Sequence, residues 1–281
     1  MAKSTTTTAN DIVYGAIITD RLLEELRPYN VSKPLFRWGA PGPSLVYNFP
    51  TLDDLGVGNA TTEATDYSTQ SEYTTSVAQC TSTGGAMRAD VTDELVKTAI
   101  IDVIPSAAAA LARSVAELFE TDACALYDDF TNITTAASTM TADDFLAAMS
   151  GLEQRDVVGP LVSVLHPKQA GELRQDIAAS SASIFSGGAN TGGLVMDHLE
   201  GSVGSLFGVP IFQSSLVVSA SSLRGGAMFV RNEALGAYGI WGPRVELQRD
   251  ASERFTEIVV TEHVGVVEIA DLRGQTIKSA A

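Results

Sequence analysis

The chain has 281 residues, of which 45% are hydrophobic, and carries a formal net charge of −16. That length allows one large domain or two small ones and buries a sizeable core without disulfide staples, so neither a disordered nor a fibrous class fits. The acidic balance argues against direct binding to nucleic acid or an anionic membrane surface, and no apolar run reaches the ~18 residues of a membrane span.

In chain order, the first residues are Thr-rich and lack the apolar core of a signal peptide. Residues 12–26 have the pattern of a short helix, followed by an extended arm through Pro28 and Pro34. Residues 38–87 contain no lysine or arginine but carry Asp53, Asp54, Glu63, Asp66 and Glu72. The ends of this segment, 45–49 and 73–81, have strand character, and its middle is Gly, Thr and Ser. A polar span of this length does not suit the inside of a compact domain. It reads as a two-stranded arm projecting outward, the alternative being a solvated loop. Isolated hairpins are marginal in water, so such an arm needs a partner surface.

Residues 90–130 hold the helical period for about ten turns, with Leu95, Val96, Ala99, Ile100, Val103, Ile104, Ala107, Leu111, Val115, Leu118, Phe119, Ala123, Leu126 and Phe130 in phase. Asp90 is placed to cap this helix, and Asp93 and Glu94 suit its positive end. Pro105 removes a backbone donor, which predicts a break or kink at Ile104 with Pro105 opening a second helix. One long helix among β-rich flanks reads as a spine on which separate lobes hang.

Downstream, Thr141 caps a helix over 141–152 with Phe145, Leu146 and Met149 on one face. Residues 161–165 form a short strand, and His166-Pro167 opens a helix carrying Ala170, Leu173 and Ile177. Residues 180–208 are loop-like and rich in glycine. A strand begins at 209–212, with Pro210 tolerated at an edge, and another covers 227–230. Two long strands, 245–247 and 255–269, are joined through 248–251, with Gly265 marking a bulge. A last short strand covers 274–277. Helices and strands are segregated, which predicts an α+β fold.

No common chemical constellation is present. There is no phosphate loop, no G-x-S-x-G, no H-E-x-x-H and no C-x-x-C. Gly56-Val57-Gly58 lacks the third glycine of a dinucleotide turn. His166, His198 and His263 have no ligand spacing; His166 reads as a helix cap and His263 as a strand residue. Cys80 and Cys124 read as buried free thiols, with a disulfide left open. The sequons at Asn59 and Asn132 read as coincidence. No catalytic residue, metal or cofactor is expected, although a dispersed triad stays open because triads are spatial.

The layout as a whole resembles the major capsid proteins of tailed bacteriophages, in the fold shared by tailed-phage shells and encapsulins. The likeness rests on Val91-Thr92-Asp93-Glu94-Leu95 with Pro105 downstream, on residues 161–167, on Phe207-Gly208-Val209-Pro210-Ile211, and on residues 245–250 followed by Phe255 and a long strand. It runs from about Ile12 to the end. It implies an N-terminal arm (1–37), an extended β-hairpin loop (38–87), the spine helix and the start of a peripheral domain (88–151), an axial domain (152–240), and returning peripheral strands with a C-terminal strand (241–281). It implies a structural, non-enzymatic protein that self-assembles through hexamers and pentamers into an icosahedral virion shell around double-stranded DNA, without binding that DNA specifically. Partners would be a scaffolding protein, a portal, and a decoration or cementing protein, with assembly in the host cytoplasm and no membrane. Two other readings stay open: an encapsulin-type nanocompartment shell, and a soluble hydrolase with a non-sequential site. Two departures are notable. Some relatives carry an N-terminal scaffold segment that is cut off, whereas this sequence begins at the arm. Some crosslink a lysine of the extended loop to an asparagine of a neighbour, and this loop has no lysine. The loop carboxylates Asp53, Asp54, Glu63, Asp66 and Glu72 are expected to face arginines of a neighbouring copy, with Arg21, Arg27, Arg37 and Arg88 as candidates.

Overall fold

A computed structural model describes residues 31–52, 75–99, 103–136, 138–180, 202–220 and 223–280. The helix expected over 12–26, the distal part of the hairpin and most of the glycine-rich stretch lie outside them. A 3-10 turn at Lys33–Leu35 leads into β1 (Arg37–Trp38), β2 (Val46–Leu52), β3 (Thr75–Thr81) and β4 (Thr83–Thr92). Helices α1 (Asp93–Thr98) and α2 (Val103–Leu126) follow, then β5 (Ile133–Thr135), α3 (Ala142–Glu153), β6 (Leu161–Leu165) and α4 (Pro167–Ser180). The chain continues through β7 (Ser202–Leu206), β8 (Val209–Gln213), β9 (Ser219–Ala220), β10 (Leu223–Val230), β11 (Leu235–Asp250) and β12 (Phe255–Glu268). It closes with a 3-10 turn at Asp271–Arg273 and β13 (Gly274–Ala280).

The strands make three sheets. A four-stranded sheet runs β1-β11-β12-β4, a seven-stranded sheet runs β5-β13-β10-β6-β8-β7 with β9 on β10, and β2-β3 is a separate hairpin. The upper half of α2 lies on the four-stranded sheet, where Leu111, Val115 and Ala116 meet Val91, Ile258 and Val260. The lower half carries Phe119, Ala123 and Cys124, with Tyr127 just past its end, into a cluster with Leu35, Phe36, Val162 and Phe229, which ties the two large sheets together. A second cluster, with Phe145, Leu152, Leu173, Met228 and Ile277, packs α3 and α4 on the seven-stranded sheet. The α+β expectation holds, and the continuous helical period of α2 is the reason one element reaches both cores.

Several local expectations change. Asp90 does not cap the spine: it pairs with Glu257 as a strand residue of β4. The cap is Thr92, whose hydroxyl accepts from the Leu95 amide. The first helix ends at Ala99, in extended geometry, and Pro105 sits inside the first turn of α2, where no intrahelical donor is needed. The spine is two helices, as Pro105 led one to expect, but the break precedes Val103 instead of falling at Ile104. Thr141 does cap α3, in a full capping box with Asp144. That helix buries Phe145, Ala148 and Leu152, while Leu146 is 44% exposed. His166 does cap α4, its Nδ1 accepting from the Lys168 amide at 3.1 Å. Pro210 is not on an edge strand, since β8 lies between β6 and β7; it is tolerated because pairing with β6 begins only at Ile211. Strand β11 is much longer than the sequence pattern indicated, because its first four residues, Leu235 to Tyr238, are all buried and lose the alternation. Gly265 is in regular register with Tyr238, and the irregularities fall on β11 around Trp241. What Gly265 provides is close approach: a Cβ there would lie 2.2 Å from the carbonyl oxygen of Thr81.

Candidate assembly surfaces

Three features of the described residues face outward without a covering element. The first is the hairpin. Seven cross-strand pairs join β2 to β3, from Val46–Thr81 to Leu52–Thr75. Only its root is buried, where Phe49 and Cys80 pack with Tyr238. Tyr47 stacks on Tyr238 at 5.1 Å, and the Tyr238 hydroxyl donates toward the carbonyls of Ser44 (2.7 Å) and Gly42 (3.0 Å). Beyond the root, Val77 is 56% exposed. The second feature is the outer edge of β4, a ten-residue strand paired only with β12. Its unpaired amides and carbonyls form a template for another strand. The third is a scatter of exposed apolar side chains on the spine side, with Met87 on β4, Leu95 and Val96 on α1, and Leu118 on α2. Helix α1 buries no residue at all.

The expected inter-subunit residues divide between described and undescribed parts of the chain. Asp53, Asp54, Glu63, Asp66, Glu72, Arg21 and Arg27 lie outside the described residues. Arg37 sits on β1, with its guanidinium 5.9 Å from the Phe49 ring centre at the hairpin root. Arg88 is on the β4 edge strand and already holds partners in its own chain, Asp90 at 2.8 Å and Glu257 at 3.1 Å. The structure does not bring Arg37 and Arg88 together.

A polar cluster that the sequence reading did not single out lies at the arm root. Glu120 of α2 is 1% exposed, and its carboxylate accepts from the Ser32 amide (3.0 Å) and hydroxyl (2.8 Å). The Tyr127 hydroxyl donates to the same serine oxygen at 2.7 Å. Burial pushes the Glu120 carboxyl above its usual range against the opposing pull of the Ser32, Ser214 and Cys124 hydrogen bonds. Burial also pushes the Cys124 thiol up to about 12, so this group is a neutral packing residue. Next to Ser32, Lys33 reaches Glu262 of β12 at 3.5 Å and lies over the rings of Trp38 and Phe119. The signal was present in the sequence: Glu120 falls on the apolar stripe of α2, next to Phe119 and one turn from Ala123. A second acidic group, Glu268 at the end of β12, is raised to about 7 by burial and by the neighbouring Asp271 and Asp129. Among the described residues no group of three or more His, Cys, Asp and Glu side chains could hold a metal, and no helix is long and apolar enough to cross a membrane.

Among the described residues, then, an α+β subunit has a spine helix bridging two cores, a hairpin buried only at its root and an edge strand with a single partner. The chain belongs to the phage capsid protein family, whose model matches residues 86–275. No curated protein matches its sequence. Solved structures give the same fold. A structure from Mycobacterium phage Che8 is 15% identical with a TM-score of 0.64, covering 83% of this chain and 84% of that one. The capsid of cyanophage P-SCSP1u is 14% identical with a TM-score of 0.68, covering 89% and 88%. The SrpI encapsulin of Synechococcus elongatus is 12% identical with a TM-score of 0.60, covering 86% and 84%. This is a structural capsid protein in the fold that phage shells share with encapsulins.

Proposed function

We propose that many copies of this chain form an icosahedral shell of hexamers and pentamers that encloses double-stranded DNA. The observation that carries this is a capsid-family chain whose hairpin and ten-residue β4 edge have no covering element among the described residues. In the division we propose, residues 1–37 are the arm, 38–87 the extended loop, 88–151 the spine, 152–240 the axial domain and 241–281 the returning strands. Strand β13 is shared ground in that scheme, because it inserts between β5 and β10 of the seven-stranded sheet. The charge of −16 means the shell does not attract its genome, so filling requires a motor acting through a portal. A scaffolding protein sets shell size, a decoration or cementing protein binds outside, and assembly takes place in the host cytoplasm. No step requires catalysis.

The likeness to an encapsulin favours a second reading, a nanocompartment around a cargo protein. Electron microscopy of particles purified from infected or expressing cells, followed by analysis of their contents, tests both. Closed shells holding double-stranded DNA support the first reading. Shells holding a stoichiometric protein cargo support the second, and a soluble monomer that forms no particle removes both.

A further inference from the structure

The contacts at the arm root connect three parts of the fold. Ser32, Lys33 and Pro34 cross α2 at the level of Phe119–Ala123, and every one of them is held. Ser32 is fully buried by Glu120 and Tyr127. Lys33 meets Glu262, and its carbonyl accepts from the Trp38 indole at 2.9 Å. The Pro34 carbonyl accepts from Arg231 at 3.1 Å, while the side chains of Leu35 and Phe36 fill the central core. The strap thus spans α2, β12 and the β10–β11 connection.

Glu120 is the unusual member. Among the described residues, no lysine, arginine or histidine faces it. The groups around it are Ser32 on the strap, Cys124 on its own helix, Tyr127 just past that helix's end, and Ser214 after β8. A carboxylate in that setting has only neutral hydrogen-bond donors to offset its lost hydration. A carboxylic acid there keeps one oxygen to accept from the Ser32 amide and has a hydroxyl to donate, with the Ser214 hydroxyl within reach. Glu262, facing Lys33, is the second carboxyl the strap covers, and it also sits above its usual range because of burial, which the Lys33 charge only partly offsets.

We propose that the root of the N-terminal arm is a proton-linked latch, in which seating of residues 32–36 on the spine takes up a proton at Glu120. When the strap lifts, Glu120 meets water and returns to an ordinary glutamate. The sign follows from the direction of its shift. A carboxyl raised in the closed state contributes its full stabilisation below the ordinary glutamate range, and that contribution is lost as pH rises through the raised value. The latch therefore closes in acid and loosens toward alkaline pH, the reverse of a surface ion pair. Cys124 and Tyr127, both raised further, stay neutral throughout and act only as donors. How firmly residues 32–36 are held on the spine, and with it any contact they make with a neighbouring copy, becomes a function of pH.

Hydrogen exchange of the full chain, read at peptides covering 31–37 and corrected for the intrinsic pH dependence of exchange, tests this. Protection in the natural protein is expected to fall about tenfold or more between about pH 5 and about pH 8, without a matching fall in α3 or α4. Glu120→Gln, which fixes the neutral form, is expected to flatten the profile while leaving the strap protected. A flat profile in the natural protein overturns the proposal whether or not the variant folds, and so does a Glu120→Gln profile that keeps the full fall.

Discussion

At the scale of single residues, the two glycines Gly265 and Gly171 make a controlled pair. Gly265 in β12 faces the Thr81 backbone, so any side chain there must push the hairpin root away from the sheet. Gly171 in α4 has open space where a Cβ would go. Gly265→Ala is expected to destabilise the subunit by ~1–3 kcal/mol through overpacking, and Gly171→Ala to stabilise it by ~0.5–1 kcal/mol through helix propensity. Thermal denaturation of the two variants side by side checks both, and a Gly265→Ala variant as stable as the parent would show that the hairpin root is not seated on β12 as described. In the sequence Gly265 was visible only as a glycine interrupting a strand, and a bulge is the ordinary reading of that pattern. The actual reason is a contact with a residue 184 positions away (265 minus 81), which no local pattern reports.

At the scale of elements, legibility followed periodicity. The stripe from Leu111 to Leu126 gave the spine, and Thr141 with Asp144 gave the capping box of α3, because both signals are local. The join between α1 and α2 was misplaced for a related reason. Apolar spacing continues through the junction, and only the strand pairing of β4 with β12 shows that helix cannot begin before Asp93. The hairpin was legible as a segment poor in apolar and basic residues, and its second strand ends at Thr81, where the 73–81 reading ended it. Residues 83–87, included in the expected loop segment, are strand residues of β4 in the four-stranded sheet. This division makes the hairpin's stability graded along its length. Phe49 and Cys80 are buried, whereas Pro50, Ser76 and Val77 are exposed. Hydrogen exchange on a dissociated subunit should therefore show protection at Phe49 and Cys80 that falls away toward Leu52 and Thr75, with assembly restoring it. Uniform strong protection of both strands in the lone subunit would mean the hairpin needs no neighbour.

At the scale of the whole molecule, the acidic loop and the arginines proposed to face it make shell assembly an electrostatic problem. Each exposed pair contributes only ~0–1 kcal/mol, but the pairs repeat around a closed shell. Assembly yield is expected to fall as ionic strength rises from about 0.05 M to about 0.5 M, since such pairs are screened over that range. Arg88→Gln is expected to lower the yield further at low salt, although its contacts with Asp90 and Glu257 would have to be shared. A yield that does not respond to salt would remove the charge pairing and leave apolar burial as the cohesive force.

The same whole-molecule view decides how a finished shell is locked. Covalent locking between a loop lysine and a neighbour's asparagine, as in the relatives this sequence resembles, needs an amine on the loop. The lysines of this chain are Lys3, Lys33, Lys97, Lys168 and Lys278, and none lies between residues 38 and 87. Three of them already have carboxylate partners in their own subunit: Lys33 with Glu262, Lys168 with Glu172 and Lys278 with Asp128. Lys33, the nearest to the loop, is also held over two aromatic rings, Trp38 and Phe119 of its own subunit. Cohesion then rests on burial between copies, which at about 25 cal/mol per Å² is ample over interfaces of a few thousand Å². Particles boiled in detergent are accordingly expected to run as a single band near the 29.5 kDa of the monomer. A ladder of oligomers that survives reductant would overturn this, and loss of that ladder in Lys97→Arg but not in Lys33→Arg would place the bond on the exposed short helix α1 rather than at the arm root.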